Sequence, residues 1–436
     1  MLALATRRPF ASAAATAAAS ASPLVVTRLQ NGVNVAVAED VGLLSRVSLV
    51  MQTGSRQQAA PGAAHILKNL LFRTVPDDTI TRTVRGAELR GNSLETSHSR
   101  EAVMLSATFM RDDLPDIVPL LTKNAMNSTC AAYEFLDARE FSYQETANAM
   151  ADPLVRISET LHNLAFRSGL GASMYASPDL CGALERKDVF DAMKQWSGQN
   201  VSVIASGVDA KDLIPMIEES FSSISLAPSA GISSSTKSTY FGGNEARIVF
   251  PGKTSYYAVA FPSVSRALVS DHAAALVLCA LLDGTPRVKY GLGAGLTPSS
   301  VSAFYNGYSD AGLTGFVVSS SDPKALTQAA QQTLAVLKSL AAGSTDVMSS
   351  VAIDGAKARA VVGVAESASS ESTVFGKCTD MLVTGNLTTS SVLAEAIVNV
   401  GKADISKLAE KALKDGLGPC AVALGDTSAL PWFDEL

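Results

Sequence analysis

The order of elements in the first half of this chain recurs in the second, and few folds can satisfy such a repeat. In the first half, Arg46–Thr53 alternates apolar and polar residues as a half-buried strand does, and Ala60–Leu71 follows as a helix with Pro61 suited to its first turn. Ala102–Met110 is a second strand, and Asp112-Asp113-Leu114-Pro115 opens a second helix. In the second half, the strand Ser255–Phe261 precedes a helix over Ser270–Leu282, with Ser270 as a candidate cap. The strand Gly315–Ser319 then precedes a helix opened by Asp322-Pro323. Its Leu326, Ala330, Thr333, Leu337 and Leu340 lie on one face. The two series are offset by roughly 210 residues, which implies a duplicated α+β domain.

The boundaries follow from composition. Ala227–Gly243 is rich in Pro, Ser and Gly and lacks apolar periodicity, so it reads as a linker between domains at 23–226 and 244–436. With 436 residues, the chain has the length of two domains at about 100–200 residues each. Hydrophobic residues make up 47% and charged residues only 17%, against about 25% in an average globular protein. That excludes wholesale disorder and suits a chain that hides much of its surface in large cores or against other subunits. The longest apolar stretch, Ala273–Leu282, is about half the ~20 residues a spanning helix needs, so the chain is not expected to cross a membrane by itself. A net charge of −6 without a basic stripe argues against nucleic-acid binding. Cys130, Cys181, Cys279, Cys378 and Cys420 are scattered, with no CxxC pair, which fits a reducing compartment better than a disulfide framework or a thiolate metal site.

Residues 1–22 have a different character. They are rich in Ala and Ser and carry Arg7 and Arg8, and the first acidic residue of the chain is Glu39. This is the composition of a mitochondrial transit peptide, to be left out of the fold.

The first helix carries His65-Ile66-Leu67-Lys68-Asn69. Inverted zinc peptidases place H-x-x-E-H on such a helix. Positions i, i+3 and i+4 share one face, where two histidines hold the metal and the glutamate takes a proton from its bound water. One histidine at this spacing is more often a buried, hydrogen-bonded core residue. His98, His162 and His272 supply no partner: His98 sits in a polar strand-edge segment, and the other two lie in apolar helical stretches without a His or acid at i+4. Gly291-Leu292-Gly293-Ala294-Gly295 lacks the Lys-Ser/Thr ending of a phosphate loop and reads as a flexible turn.

Three segments taken together resemble the pitrilysin-type peptidase family: Gln52–Thr74, Arg90–Pro115 and Leu161–Gly182, in the family's order and with nearly its spacing. The resemblance covers nearly the whole chain after residue 22. It implies two homologous domains, each a mostly antiparallel sheet packed with helices. It also implies a zinc site, and residue by residue that site is degenerate. His65 holds the first ligand position, Lys68 stands where the general base belongs, Asn69 replaces the second histidine, and Glu145 falls at the third ligand position. A lysine ammonium does not accept a proton from water at neutral pH. Two unit charges 4 Å apart interact by about 4 kcal/mol at an effective dielectric of about 20, so a divalent ion beside Lys68 would be repelled by roughly twice that. The expectation is an inactive homologue with no catalytic residue, no metal and no cofactor, in which Lys68 pairs with Glu145 across two helices.

Within the family, the second half looks like the core subunits of ubiquinol–cytochrome c oxidoreductase. The similarity lies in Leu281–Gly291 and in Ser302–Ser321, which contains Phe304-Tyr305-Asn306-Gly307-Tyr308-Ser309-Asp310. The non-catalytic subunit of the matrix processing peptidase is the alternative, and it carries a longer run of glycines than the one here. The resemblance implies a structural subunit on the matrix side of the mitochondrial inner membrane. It would be paired with core subunit one in a dimeric multi-subunit complex and would bind neither haem nor quinone.

Overall fold

The computed structural model describes residues 24–38, 43–58, 60–181, 184–194, 196, 198–222, 237–291, 295–344, 348–367, 388–414 and 418–436. Residues 1–22, most of the 227–243 linker and the centre of the 291–295 glycine turn lie outside them. Two compact units meet in sequence at Ser238 and Thr239.

The first unit contains strands β1 (Leu24–Arg28), β2 (Asn34–Ala38), β3 (Leu44–Met51), β4 (Ser93–His98), β5 (Val103–Met110) and β6 (Val201–Ser206). Its helices are α1 (Ala63–Leu70), α2 (Ile80–Arg90), α3 (Leu114–Met126), α4 (Ala132–Met150), α5 (Pro153–Phe166), α6 (Pro178–Cys181), α7 (Arg186–Lys194) and α8 (Ala210–Ser222). The sheet order is β1-β2-β6-β3-β5-β4. Among the described strands of this sheet, only the β2–β6 pair is parallel. Alternation sends Val47, Leu49 and Met51 of β3 and Val103, Leu105, Ala107 and Phe109 of β5 into one core with Ile66, Leu67 and Leu70 of α1. The register puts Leu49 opposite Leu105 and Val47 opposite Ala107, so like faces meet across the strands.

The second unit contains β7 (Glu245–Val249), β8 (Ser255–Ser263), β9 (Val301–Gly307), β10 (Gly312–Ser320) and β11 (Cys420–Gly425). Its helices are α9 (Val269–Leu282), α10 (Pro323–Ala341), α11 (Ser350–Ser367), α12 (Ser390–Asn399) and α13 (Lys402–Lys414). The order β7-β11-β8-β10-β9 reproduces β2-β6-β3-β5-β4 of the first unit strand for strand, including the single parallel pair. This shared topology is independent of side-chain identity and is the physical form of the sequence repeat.

Local details differ from the sequence reading at helix starts. Helix α1 begins at Ala63 behind a left-handed Gly62, so Pro61 precedes it rather than forming its first turn. Helix α9 begins at Val269, and Ser270 caps nothing. Asp322 does cap α10, accepting from the Lys324 amide. No described helix is long and apolar enough to cross a membrane. Cys130 and Cys279 are free thiols.

Candidate functional site

Helix α1 is placed by the turn that leaves β3. There Gly54 runs against the backbone of Arg100, and a Cβ at Gly54 would lie 2.4 Å from the Arg100 carbonyl carbon, which only glycine avoids. From this turn α1 packs on α4. His65, Lys68 and Asn69, at i, i+3 and i+4, face Ser142 and Glu145, which lie one turn apart on α4.

All three α1 side chains converge on one carboxylate. Lys68 Nζ donates to Oε1 and Oε2 of Glu145, at 2.9 Å each. Asn69 Nδ2 donates to Oε2 at 2.7 Å and to Ser142 Oγ at 2.8 Å. His65 Nε2 lies 2.9 Å from Oε2, and the Ala176 amide donates to His65 Nδ1 at 3.1 Å. Ser142 Oγ in turn donates to the Ala138 carbonyl.

A second histidine stands close by. The rings of His65 and His98 stack at 4.7 Å with 10° between planes, and Tyr175 meets both edge-on. His98 Nε2 donates to the Met174 carbonyl at 2.9 Å. The loop over this cluster is strapped down from several sides. Arg100 donates to the carbonyls of Leu170 and Ala172 and pairs with Glu159, which accepts from the Met174 amide. Thr146 Oγ1 donates to the Ala176 carbonyl.

The charges follow from these contacts. Burial holds the His98 imidazole down at about 3, reinforced by His65 beside it. Burial also lowers His65, and the Lys68 charge adds to this against the pull of Glu145. Burial would raise Glu145, but hydrogen bonds from Asn69, Lys68 and His65 outweigh it and hold the carboxyl below its usual range. At neutral pH the Glu145 carboxyl is therefore ionised and the two imidazoles are neutral.

This donor set does not fit zinc. His65 Nε2 meets Glu145 Oε2 directly, the Lys68 ammonium occupies both oxygens of the same carboxylate, and Asn69 presents its amide N–H₂ to Glu145 rather than a lone pair. Among the described residues, no group of three or more His, Cys, Asp or Glu side chains is placed to hold a metal ion. No base stands at the Lys68 position to activate water. His162 lies apart from the cluster and donates from Nδ1 to the Ser158 carbonyl, while His272 packs against Tyr305 in the second unit. His98, Tyr175 and Ala176 are neighbours that the linear sequence did not reveal.

Comparison with known proteins agrees with this anatomy. Residues 34–178 match the family model described as Insulinase (Peptidase family M16), and residues 183–359 match the Peptidase M16 inactive domain. A protease from Helicobacter pylori shares the fold with a TM-score of 0.80 at 17% identity, covering 93% of this chain and all of that one. The cytochrome b-c1 complex subunit 2, mitochondrial, of Neurospora crassa is 30% identical over 99% of this chain and 94% of its own length. The proteins of the same name from Yarrowia lipolytica and Homo sapiens are 28% and 26% identical, over 93% and 97% of this chain and 95% of their own lengths in both cases. The chain belongs to the M16 peptidase family, within its cytochrome b-c1 complex subunit 2 branch.

Proposed function

We propose that this chain is a non-catalytic structural core subunit of the mitochondrial ubiquinol–cytochrome c reductase complex, acting in assembly and stability on the matrix side of the inner membrane. The observation that carries the reading is the Lys68–Glu145 contact on a full-length M16 scaffold. The scaffold is retained while the chemistry it would hold is replaced by an internal ion pair. The fungal and human relatives that align along nearly the whole chain are subunits of that complex by name. Low charge and high apolar content suit a protein with large buried interfaces. In this role the chain pairs with core subunit one and other subunits of the complex and moves no electrons itself. Residues 1–22 serve as its mitochondrial targeting segment.

The test is a native gel of mildly solubilised mitochondria probed for this chain and for haem. Comigration with a large haem-bearing band is the expected result. A small haem-free band at the size of a heterodimer would overturn the assignment and favour a processing-peptidase subunit.

A further inference from the structure

The cluster around Glu145 differs from a zinc site in the direction of its hydrogen bonds as well as in the identity of its residues. We propose that His65 is held as the Nε2–H tautomer in a metal-independent latch with Lys68 and Glu145, and that exchanging Lys68 and Asn69 for the family's general base and second histidine would not return it to a zinc site. The inference concerns the cluster itself and does not depend on the assembly the chain enters.

A neutral imidazole has one N–H and one lone pair. The Ala176 amide donates to Nδ1 at 3.1 Å, so the lone pair is there. The proton is on Nε2, which faces Glu145 Oε2 at 2.9 Å and donates to it. A zinc-bound imidazole needs the reverse arrangement, with its lone pair on the metal and its other N–H given to an acceptor. At His65 that other nitrogen meets a backbone N–H, which accepts nothing. Metal binding through Nε2 would leave two N–H groups pointed at each other in a buried position.

The amide cannot easily turn away. Thr146 Oγ1 holds the Ala176 carbonyl at 2.6 Å, and Arg100 holds the Leu170 and Ala172 carbonyls earlier in the same loop. None of these contacts involves Lys68 or Asn69, so the obstacle survives their exchange. Lys68 supplies the positive charge that Glu145 requires, and His65 links Glu145 to the loop backbone. The result is a cross-link among α1, α4 and the 170–176 loop with no need for a metal.

Nuclear magnetic resonance of the full chain labelled with 15N-histidine tests this directly. The chain has 4 histidines, and the His65 signals are those lost in His65→Gln. The expected result is a protonated Nε2 and an unprotonated Nδ1 at neutral pH, and the opposite tautomer would overturn the proposal. A second experiment adds Co²⁺ or Zn²⁺ to the full-length Lys68→Glu/Asn69→His variant. We expect no tetrahedral Co²⁺ absorption and no zinc-dependent rise in melting temperature, whereas stoichiometric uptake would overturn the proposal. If that variant does not fold, the tautomer of the unaltered chain decides alone.

Discussion

Lys68 Nζ stands equidistant from the two carboxylate oxygens of Glu145, at 2.9 Å from each, and so joins α1 to α4 through a single ammonium. The side chains are 12% and 31% exposed, which weakens the pair relative to a fully buried one. Further donors on the same carboxylate hold its geometry, so the contact is still expected to be measurable. Lys68→Ala and Glu145→Ala should each lower the melting temperature. The double variant should lose less than the two singles together, with a coupling of about 1–2 kcal/mol. Purely additive losses would show that the two groups do not stabilise each other.

All four histidines make stability depend on pH, His65 in the same direction as the three with the largest shifts. Burial lowers His98 and His162 to about 3 and His272 to about 4, from an unfolded value near 6.5. Below pH 6.5 the unfolded chain binds protons that the folded chain refuses. Stability is thus fully present above that pH and declines as pH falls toward 4, by at most about 1.4 kcal/mol per pH unit for each group. The depressed Glu145 carboxyl adds a further loss below its unfolded value of 4.5. Thermal melts between pH 7.5 and 4.5 should show a falling midpoint with a shallower slope in His162→Gln. An unchanged slope in that variant would mean that His162 titrates normally in the fold.

Much of this was readable in the sequence for a definite reason. The repeat could be seen because strand and helix periodicities survive duplication even when identities drift. Glu145 could be named from its distance along the chain in the family resemblance, and the fold brings its carboxylate to 2.9 Å from both His65 and Lys68. The stacking of His98 on His65 was not legible, since it depends on β4 pairing with β5, where His98 lies opposite Val103. The one available signal was the two-residue alternation along β4, which places His98 on the same face as Thr96 and Leu94. The loop over the cluster was equally hidden, because its bonds join backbone atoms of residues 170–176 to Arg100, Glu159 and Thr146. Pro61 and Ser270 misled because good cap chemistry does not fix the start of a helix when packing sets it one or two residues away.

Arg100 and Glu159 form a nearly buried ion pair, with side chains 2% and 12% exposed. Arg100 is tied to two loop carbonyls and Glu159 to the Met174 amide, so neither charge can be removed alone without stranding polar atoms. Arg100→Met should cost about 3–5 kcal/mol in urea unfolding, because it leaves the Glu159 carboxylate buried and unpaired. Arg100→Met/Glu159→Gln should recover part of that loss. Both variants should become sensitive to proteolysis between residues 168 and 176. If Arg100→Met lowered the unfolding free energy in urea by less than about 1 kcal/mol, the pair would be no more than a surface-type contact.

In the second unit, Arg247 on β7 gathers the segment that follows β11. Its guanidinium donates to the carbonyls of Pro431 at 3.0 Å and Leu430 at 2.8 Å, and also to the Thr427 carbonyl. It pairs with Glu245 at 2.7 Å and lies 4.2 Å from the centre of the Trp432 ring. Glu245 completes the clamp by accepting from the Phe433 amide at 2.9 Å. A flat group with five donors can meet several acceptors while stacking on an indole, and a lysine ammonium cannot. Arg247→Lys should therefore release the segment while keeping the charge. Amides of residues 427–435 should exchange faster with solvent by about 10-fold or more, which corresponds to a local loss of about 1.4 kcal/mol or more. The β8–β10 core should exchange as before. Unchanged exchange at the segment in Arg247→Lys would mean that charge alone, rather than the fork and the stack, holds it against the sheet.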